Sequence, residues 1–297
     1  MELRHLRYFA VAAEEENFHR AAERLHVTQS ALSRRIHDLE VELGVELFER
    51  SQKRVRLSAV GRAYFQDIER VLEEIESAGA RSRRVAKGEL GVLAIALNDT
   101  VVRHGVVSKA FHAFRSRYPE VELKLDPMST RSLADALADR QVDAAFLYTR
   151  PMESPLFDSI PITRDGYVVA LPSSHPLARR AELRLADLAP EPFLWMPRDP
   201  APDIHDRLIG ACQAGGLTPN IVQHLMSEAA RLHLVSAGMG CTFVTSSFRN
   251  YSVENVVTRP VVDLSVEIAL EFAWRRNDRS PVIAHFIGIL QDLTRGA

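Results

Sequence analysis

Apolar residues recur at helical spacing along residues 28–43. Leu32, Ile36, Leu39 and Leu43 stand at i, i+4, i+7 and i+11, which is one stripe of one helix. The opposite face carries Ser30, Ser33, Arg34 and His37, with Gln29 at the start, and Thr28 is placed to cap the first turn. A shorter apolar helix precedes it, with Phe18, Ala21, Ala22 and Leu25 on one face and only His26-Val27 as connector. Two helices joined so tightly must cross, which predicts a helix-turn-helix. Its second helix has a small, polar outer face that fits a major groove, where Gln and Arg reach base edges. The plainer alternative is an ordinary amphipathic helix with a solvated face. Residues 3–16 predict a backing helix with Leu3, Leu6, Phe9 and Ala13 on one side. Gly44 is a C-cap candidate. Residues 47–57 place two short apolar pieces around a polar basic tip, which predicts a hairpin wing.

A different period begins at Ser58. From residue 59 to 85, Tyr64, Ile68, Val71, Ile75, Ala78, Ser82 and Val85 step by 4, 3, 4, 3, 4, 3. That is a heptad seam, and a helix this long beside a small domain predicts pairing with the same helix of a second chain. Arg81, Arg83, Arg84 and Lys87 lead through Gly88 to Gly91, and the hinge is expected at 86–91.

Beyond the hinge, strand and helix patterns alternate. Strands are expected at 90–97, 121–125 and 142–148, with helices at 106–118 and 132–140 between them. This order predicts an α/β domain built on a parallel sheet. Further strands are expected at 167–171, 193–196, 241–245, 256–259 and 266–274, and helices at 203–214, 227–237 and 282–293.

Several runs of the first 60 residues resemble the N-terminal signature of the bacterial LysR-type transcriptional regulators. They are Leu6-Arg7-Tyr8-Phe9, Ala21-Ala22-Glu23-Arg24-Leu25-His26-Val27-Thr28-Gln29-Ser30-Ala31-Leu32-Ser33 and Leu39-Glu40. Leu43-Gly44-Val45, Leu47-Phe48-Glu49-Arg50 and Val55-Arg56-Leu57-Ser58-Ala59-Val60-Gly61 continue the resemblance, ungapped and in order. His19 departs from the family's usual Ser or Thr cap, and Ser30 from a frequent Pro. The resemblance implies a winged helix-turn-helix over 1–58, a dimerising linker helix over 59–89 and an effector-binding domain over 90–297. It also implies two α/β subdomains like those of periplasmic binding proteins, 90–161 with 267–297 and 162–266. Implied partners are promoter or operator DNA, a small-molecule effector, further copies of the chain as a dimer of dimers, and RNA polymerase.

Composition adds limits. A chain of 297 residues suggests two domains, and an apolar fraction of 46% is ordinary for a globular protein. The net charge of −2 gives no hint of nucleic acid, yet Arg50, Lys53, Arg54 and Arg56 concentrate at the wing, where basic side chains would lie along phosphate. No run is long and apolar enough to span a bilayer, and MELRHLR lacks a signal-peptide core, so a cytoplasmic protein is expected. Two cysteines, Cys212 and Cys241, make no disulfide framework. They leave redox sensing as an alternative, beside an architectural DNA binder without ligand.

In an open α/β sheet, ligands sit beyond the carboxyl ends of the strands. Asn98, Asp99 and Thr100 follow the first strand of the second domain, and Ser129 and Thr130 follow the next. The family's effector cleft is expected there. Plain helix capping is the competing role for Asp99, Ser129 and Thr130. The segment from Phe193 to Asp203, including Pro202 and Asp203, resembles the opposite wall in the branch controlling aromatic-compound (benzoate, catechol, chlorocatechol) catabolism. An aromatic or dicarboxylic acid is the implied effector. His224, Glu228 and His233 have a spacing that a metal could use if one helix ran through them, but ordinary surface histidines are the simpler reading, and neither metal nor cofactor is expected. Enzyme signatures such as a Gly-x-Ser-x-Gly elbow are missing, so no catalysis is expected.

Overall fold

The structure is a computed structural model that describes all residues except 52–53, 99, 149–154, 251 and 296–297. The chain divides into two compact units, Met1–Arg84 and Val85–Ala297.

In the first unit, α1 (Leu3–Glu15), α2 (Phe18–Arg24) and α3 (Gln29–Leu43) close around one core. Leu32, Ile36 and Leu39 are fully buried as the stripe predicts. The turns between helices come from local chemistry. Asn17, not position 19, caps α2 by accepting from the His19 and Arg20 N–H groups. Thr28 accepts from Ala31 N–H at the start of α3, and Gly44 ends that helix at φ 70°, where a Cβ would be strained. The wing is an antiparallel pair, β1 (Phe48–Ser51) and β2 (Arg54–Leu57), with Phe48 opposite Leu57. The buried Glu40 carboxylate accepts from Leu47 and Phe48 N–H at 2.9 and 3.2 Å, tying α3 to the entry of the wing. Phe48 packs edge-on against Phe9 and Phe18.

Helix α4 (Ala59–Ala86) corrects one expectation about the heptad seam. Tyr64, Phe65, Ile68 and Leu72 pack on the unit's own core, and Ile68 is only 6% exposed. The first half of the seam is therefore covered within the chain. Val71, Ile75 and Val85 stay exposed.

The second unit contains a five-stranded sheet in the order β4-β3-β5-β12-β6. Its strands are β3 (Gly91–Leu97), β4 (Val121–Pro127), β5 (Ala144–Leu147), β6 (Phe157–Asp165) and β12 (Ile268–Arg275). β3 runs parallel to β4 and β5, whereas β12 runs antiparallel to β5 and β6, so the sheet is mixed. Helices α5 (Gly105–Arg117) and α9 (Pro281–Arg295) supply Phe111, Phe114 and Phe286 to the main core. Helix α6 (Thr130–Ala138) brings Leu133 and Leu137 against Ala96, Ala145 and Ala273 in a separate cluster.

After Asp165 the chain enters a second sheet. Its strands are β7 (Tyr167–Pro172), β10 (Thr242–Thr245) and β11 (Val256–Pro260), ordered β10-β7-β11 and antiparallel. A parallel pair, β8 (Pro192–Trp195) and β9 (Asn220–His224), lies beside it through a bridge between Phe193 and Cys241. Helices α7 (Pro202–Ala214) and α8 (Glu228–Ser236) complete this part before the chain returns at Ile268. No helix among the described residues is long and apolar enough to cross a membrane.

Candidate functional site

On the first unit, Thr28, Gln29, Ser30, Arg34 and His37 form the exposed face of α3, and Ser33 is half-buried between them. That face is held by the capped start of the helix and by Leu32, Ile36 and Leu39, buried behind it. Arg56 is exposed on β2, opposite Glu49 in the wing register. Lys53 and Asp99, and the side chains of Arg50, Arg54 and Thr130, lie outside the described residues.

In the second unit a cavity of about 640 Å³ opens beyond the carboxyl ends of β3, β4 and β5. Asn98, Thr100, Met128, Ser129 and Tyr148 come to it from those strand ends, and Met196, Ile204, Phe243 and Thr245 from the later part of the chain. The hydroxyls expected to meet a ligand are already engaged. Asn98 Oδ1 accepts from Thr100 N–H at 3.0 Å and lies 3.0 Å from the Thr100 hydroxyl, itself 2.9 Å from that of Tyr148. Ser129 Oγ accepts from Ser132 N–H and sits 2.9 Å from Ser132 Oγ, so it caps α6. Pro202 and Asp203 do not line the cavity. Pro200, Ala201 and Ile204 do, while Asp203 is exposed and lies 3.8 Å from Arg207 one turn along α7. Neighbouring helix positions diverge by about 100°, so Asp203 cannot share the inward direction of Ile204.

The strongest electrostatics come from residues that sequence reasoning did not assign to the cleft. Arg103, Glu228 and Arg231 all line it. Arg103 donates to one oxygen of Glu228 and lies 5.6 Å from the Phe248 ring centroid. Arg231 Nη2 lies 3.9 Å from the other Glu228 oxygen, and its Nη1 donates to the Leu225 carbonyl at 2.8 Å. Burial pulls the Arg231 pKa below the usual guanidinium range, but an arginine stays charged in proteins. One signal could have found it. Arg231 stands in the buried stripe of α8 with Leu232 and Val235, where a lone charge is unexpected.

Behind this wall, His104 Nε2 lies 3.1 Å from the Tyr148 hydroxyl and 4.0 Å from Asp165. Burial lowers the His104 pKa, so its imidazole is neutral near pH 7, and burial raises the Tyr148 and Tyr167 phenols, keeping them protonated. Asp165 accepts from the Ser246 hydroxyl and from Ser247 N–H.

The other candidates separate. His224 ends β9 and Glu228 begins α8, so no single helix carries them, and the described residues contain no group of three metal-ligating side chains. Cys212 and Cys241 are both buried and free. Burial pushes the Cys212 thiol up to about 12 and Cys241 higher still, the reverse of the depressed pKa that makes a redox cysteine reactive.

A helix-turn-helix with a hairpin wing, followed by an α/β unit with more than one sheet and a ligand-sized cleft, is the build of a ligand-responsive DNA-binding regulator. Residues 3–62 match the lysR family of bacterial regulatory helix-turn-helix proteins, and residues 86–295 match the LysR substrate binding domain. The chain belongs to the LysR family: it is a DNA-binding transcriptional regulator with an effector-binding domain, not an enzyme. It is 32% identical over 289 residues to the HTH-type transcriptional regulator AlsR of Bacillus subtilis (97% of this chain, 95% of that protein). It is also 32% identical over 292 residues to the Hca operon transcriptional activator HcaR of Escherichia coli, covering 98% of each. Among solved structures, full-length CbnR complexed with its target DNA superposes with a TM-score of 0.84 at 27% identity, covering 99% of this chain and all of that one.

Proposed function

We propose that α3 reads operator DNA through Gln29, Ser33 and Arg34, with Thr28, Ser30 and His37 beside them. The wing residues Arg50, Lys53, Arg54 and Arg56 would grip phosphate. The effector is a small carboxylic acid, aromatic or dicarboxylic, held in the cleft of the second unit. Asn98, Thr100 and Ser129 shape one wall of it, with Asp99 and Thr130 next to them in the sequence. The observation that carries this reading is the cavity itself, in which apolar walls meet two guanidiniums, that of half-buried Arg103 and that of buried Arg231. Such a site favours an anion with an apolar body. The protein works in the cytoplasm as a homotetramer, a dimer of dimers joined through residues 59–89. It acts on RNA polymerase at the promoters it occupies.

Two substitutions separate base reading from phosphate binding. Arg34→Ala costs about 1–3 kcal/mol on a cognate fragment selected from genomic DNA, and less on random DNA. Arg56→Ala weakens both by similar factors and flattens the log–log salt dependence by about one unit. Fluorescence anisotropy on the two DNAs at several salt concentrations checks both. An unchanged ratio of specific to random binding in Arg34→Ala would remove α3 from the groove. Calorimetry against small acids and their amides tests the effector class.

A further inference from the structure

Within the stretch expected as the hinge, 86–91, one residue is fastened down. Val85, Ala86 and Lys87 are exposed, yet Gly88 is buried against the first turn of α9. Its φ is 69°, in the left-handed region, and a Cβ there would stand 2.9 Å from backbone atoms of both Pro281 and Val282. The glycine is therefore needed for close approach as well as for its dihedral. Its N–H donates to the Val85 carbonyl at 2.9 Å and closes the end of α4.

A side chain holds the neighbouring carbonyl. His285, in the second turn of α9, donates from Nε2 to the Lys87 carbonyl at 2.8 Å, since a carbonyl can only accept. Carbonyls at a helix end lack intrahelical donors, so this bond meets a real need. The imidazole is itself fixed. It stacks on the Tyr118 ring, with centroids 4.4 Å apart and planes 16° from parallel. That ring lies 5.2 Å from the ring of buried Phe114 and 5.8 Å from the Arg117 guanidinium, both on α5. Helix α5 starts two residues after Arg103, which lines the cavity. One helix of 13 residues, about 20 Å long, therefore runs from the cleft wall to the support of His285.

We propose that His285 is a positioning residue. With Gly88 it clasps the root of the linker helix to α5 and α9, so the DNA-binding arms of an oligomer take a set spacing instead of swinging freely. A displacement of α5 at its cleft end then reaches the linker root and is not lost in a slack hinge. His285 does not line the cavity, so its effect on DNA passes through the linker alone. The inference rests on the proposed reading of two half-sites by paired chains and goes beyond it.

The test uses the full chain and operator fragments whose two half-sites stand at native spacing or about five base pairs, half a helical turn, further apart. The wild type should lose about tenfold or more of its affinity on the lengthened fragment, because an arm held in the wrong place gains nothing from its tether. His285→Leu removes the donor and the stack. It should cut that loss to about threefold or less, with affinity for a single half-site unchanged. His285→Gln keeps an amide N–H near the Nε2 position and should recover part of the spacing preference. Gly88→Ala pries the same contact apart from the linker side, should match His285→Leu, and decides alone if that variant does not fold. Hydrogen exchange read by mass spectrometry reports the joint itself. Amides of residues 85–90 should be protected in the wild type and exchange about tenfold faster or more in His285→Leu and Gly88→Ala.

Free-chain exchange over 85–90 in the wild type overturns the clasp, and so does a spacing preference that neither variant moves. If His285→Gln behaves as His285→Leu does, the bond to Lys87 is not what holds the joint, and the clasp fails. Equal losses on single and paired half-sites, with a lowered melting temperature of the second unit, reduce His285 to a packing residue. A wild type indifferent to spacing overturns the positioning role together with the paired reading of DNA. The exchange result then tells a slack joint from a chain that binds alone.

Discussion

Replacing Gly61 by alanine should lower the melting temperature of the DNA-binding unit by more than about 10 °C and abolish tight DNA binding near that transition. The effector unit should melt as before. A Cβ at residue 61 would stand 2.0 Å from the Leu47 carbonyl oxygen and 3.0 Å from a Leu57 methyl. Backbone is in the way, so no rotamer change relieves the clash. The carbonyl cannot retreat alone. Leu47 is fully buried, its N–H donates to Glu40, and its oxygen accepts from Ser58 N–H at 2.9 Å. Ser58 Oγ in turn accepts from Gly61 N–H and donates to the Glu46 carbonyl, each at 2.8 Å. Making room therefore pulls the start of α4 off the wing entry and strains the link from α3. Overpacking costs about 1–3 kcal/mol or more, and each buried donor left unmet about 1–3 kcal/mol. For a unit of this size, each kcal/mol is worth roughly 4–8 °C in melting temperature. Scanning calorimetry of the full chain, with anisotropy on operator DNA, checks it. An unshifted first transition would mean that α4 and the wing separate at little cost.

Legibility followed the range of the signals. Helix α3 was readable because stripe, N-cap and C-cap all lie within 17 residues, Thr28 to Gly44, and agree. The strand β6 escaped because Pro161 sits inside it, and proline argues against a strand. The structure accommodates it because β6 is a sheet edge, with a register shift opposite β12 between Leu270 and Glu271. The strand β9 escaped because it is short and mostly exposed, without alternation. The mixed sheet was unreadable for a similar reason: β12 enters antiparallel from 103 residues beyond β6, and no local pattern encodes that return. The loops of the cleft were visible as strand ends. Its charged triad was not, because Arg103 meets Glu228 across 125 residues of chain. Neither member carries a motif of its own. The heptad period was real as a pattern, but period alone could not say which positions the chain's own core would take.

That division of the seam decides how assembly is to be probed. Ile68 is buried in the core of its own unit, so a charge there would unfold the unit and say nothing about pairing. Val71 and Ile75 are the clean positions, at 41% and 38% exposure. With Ala78, Ser82 and Val85 they continue the 4, 3 spacing along the outer half of a helix about 42 Å long. In a two-fold pair of such helices each seam residue is buried against the partner's seam. An aspartate at residue 75 would then place two carboxylates in one desolvated seam without a cation between them. Burying such charges unpaired costs several kcal/mol, and each 1.4 kcal/mol is about a tenfold change in dissociation constant. Ile75→Asp and Val71→Asp should therefore each raise the dimer dissociation constant by about a hundredfold or more. Sedimentation at micromolar concentration should show the mass falling by at least half, while circular dichroism stays that of the native chain. Binding to a two-half-site operator should fall far more than binding to a single half-site, because the second arm no longer arrives tethered to the first. If both variants keep their mass and their two-site affinity, the exposed half of α4 is a solvated surface and the copies of this chain meet elsewhere.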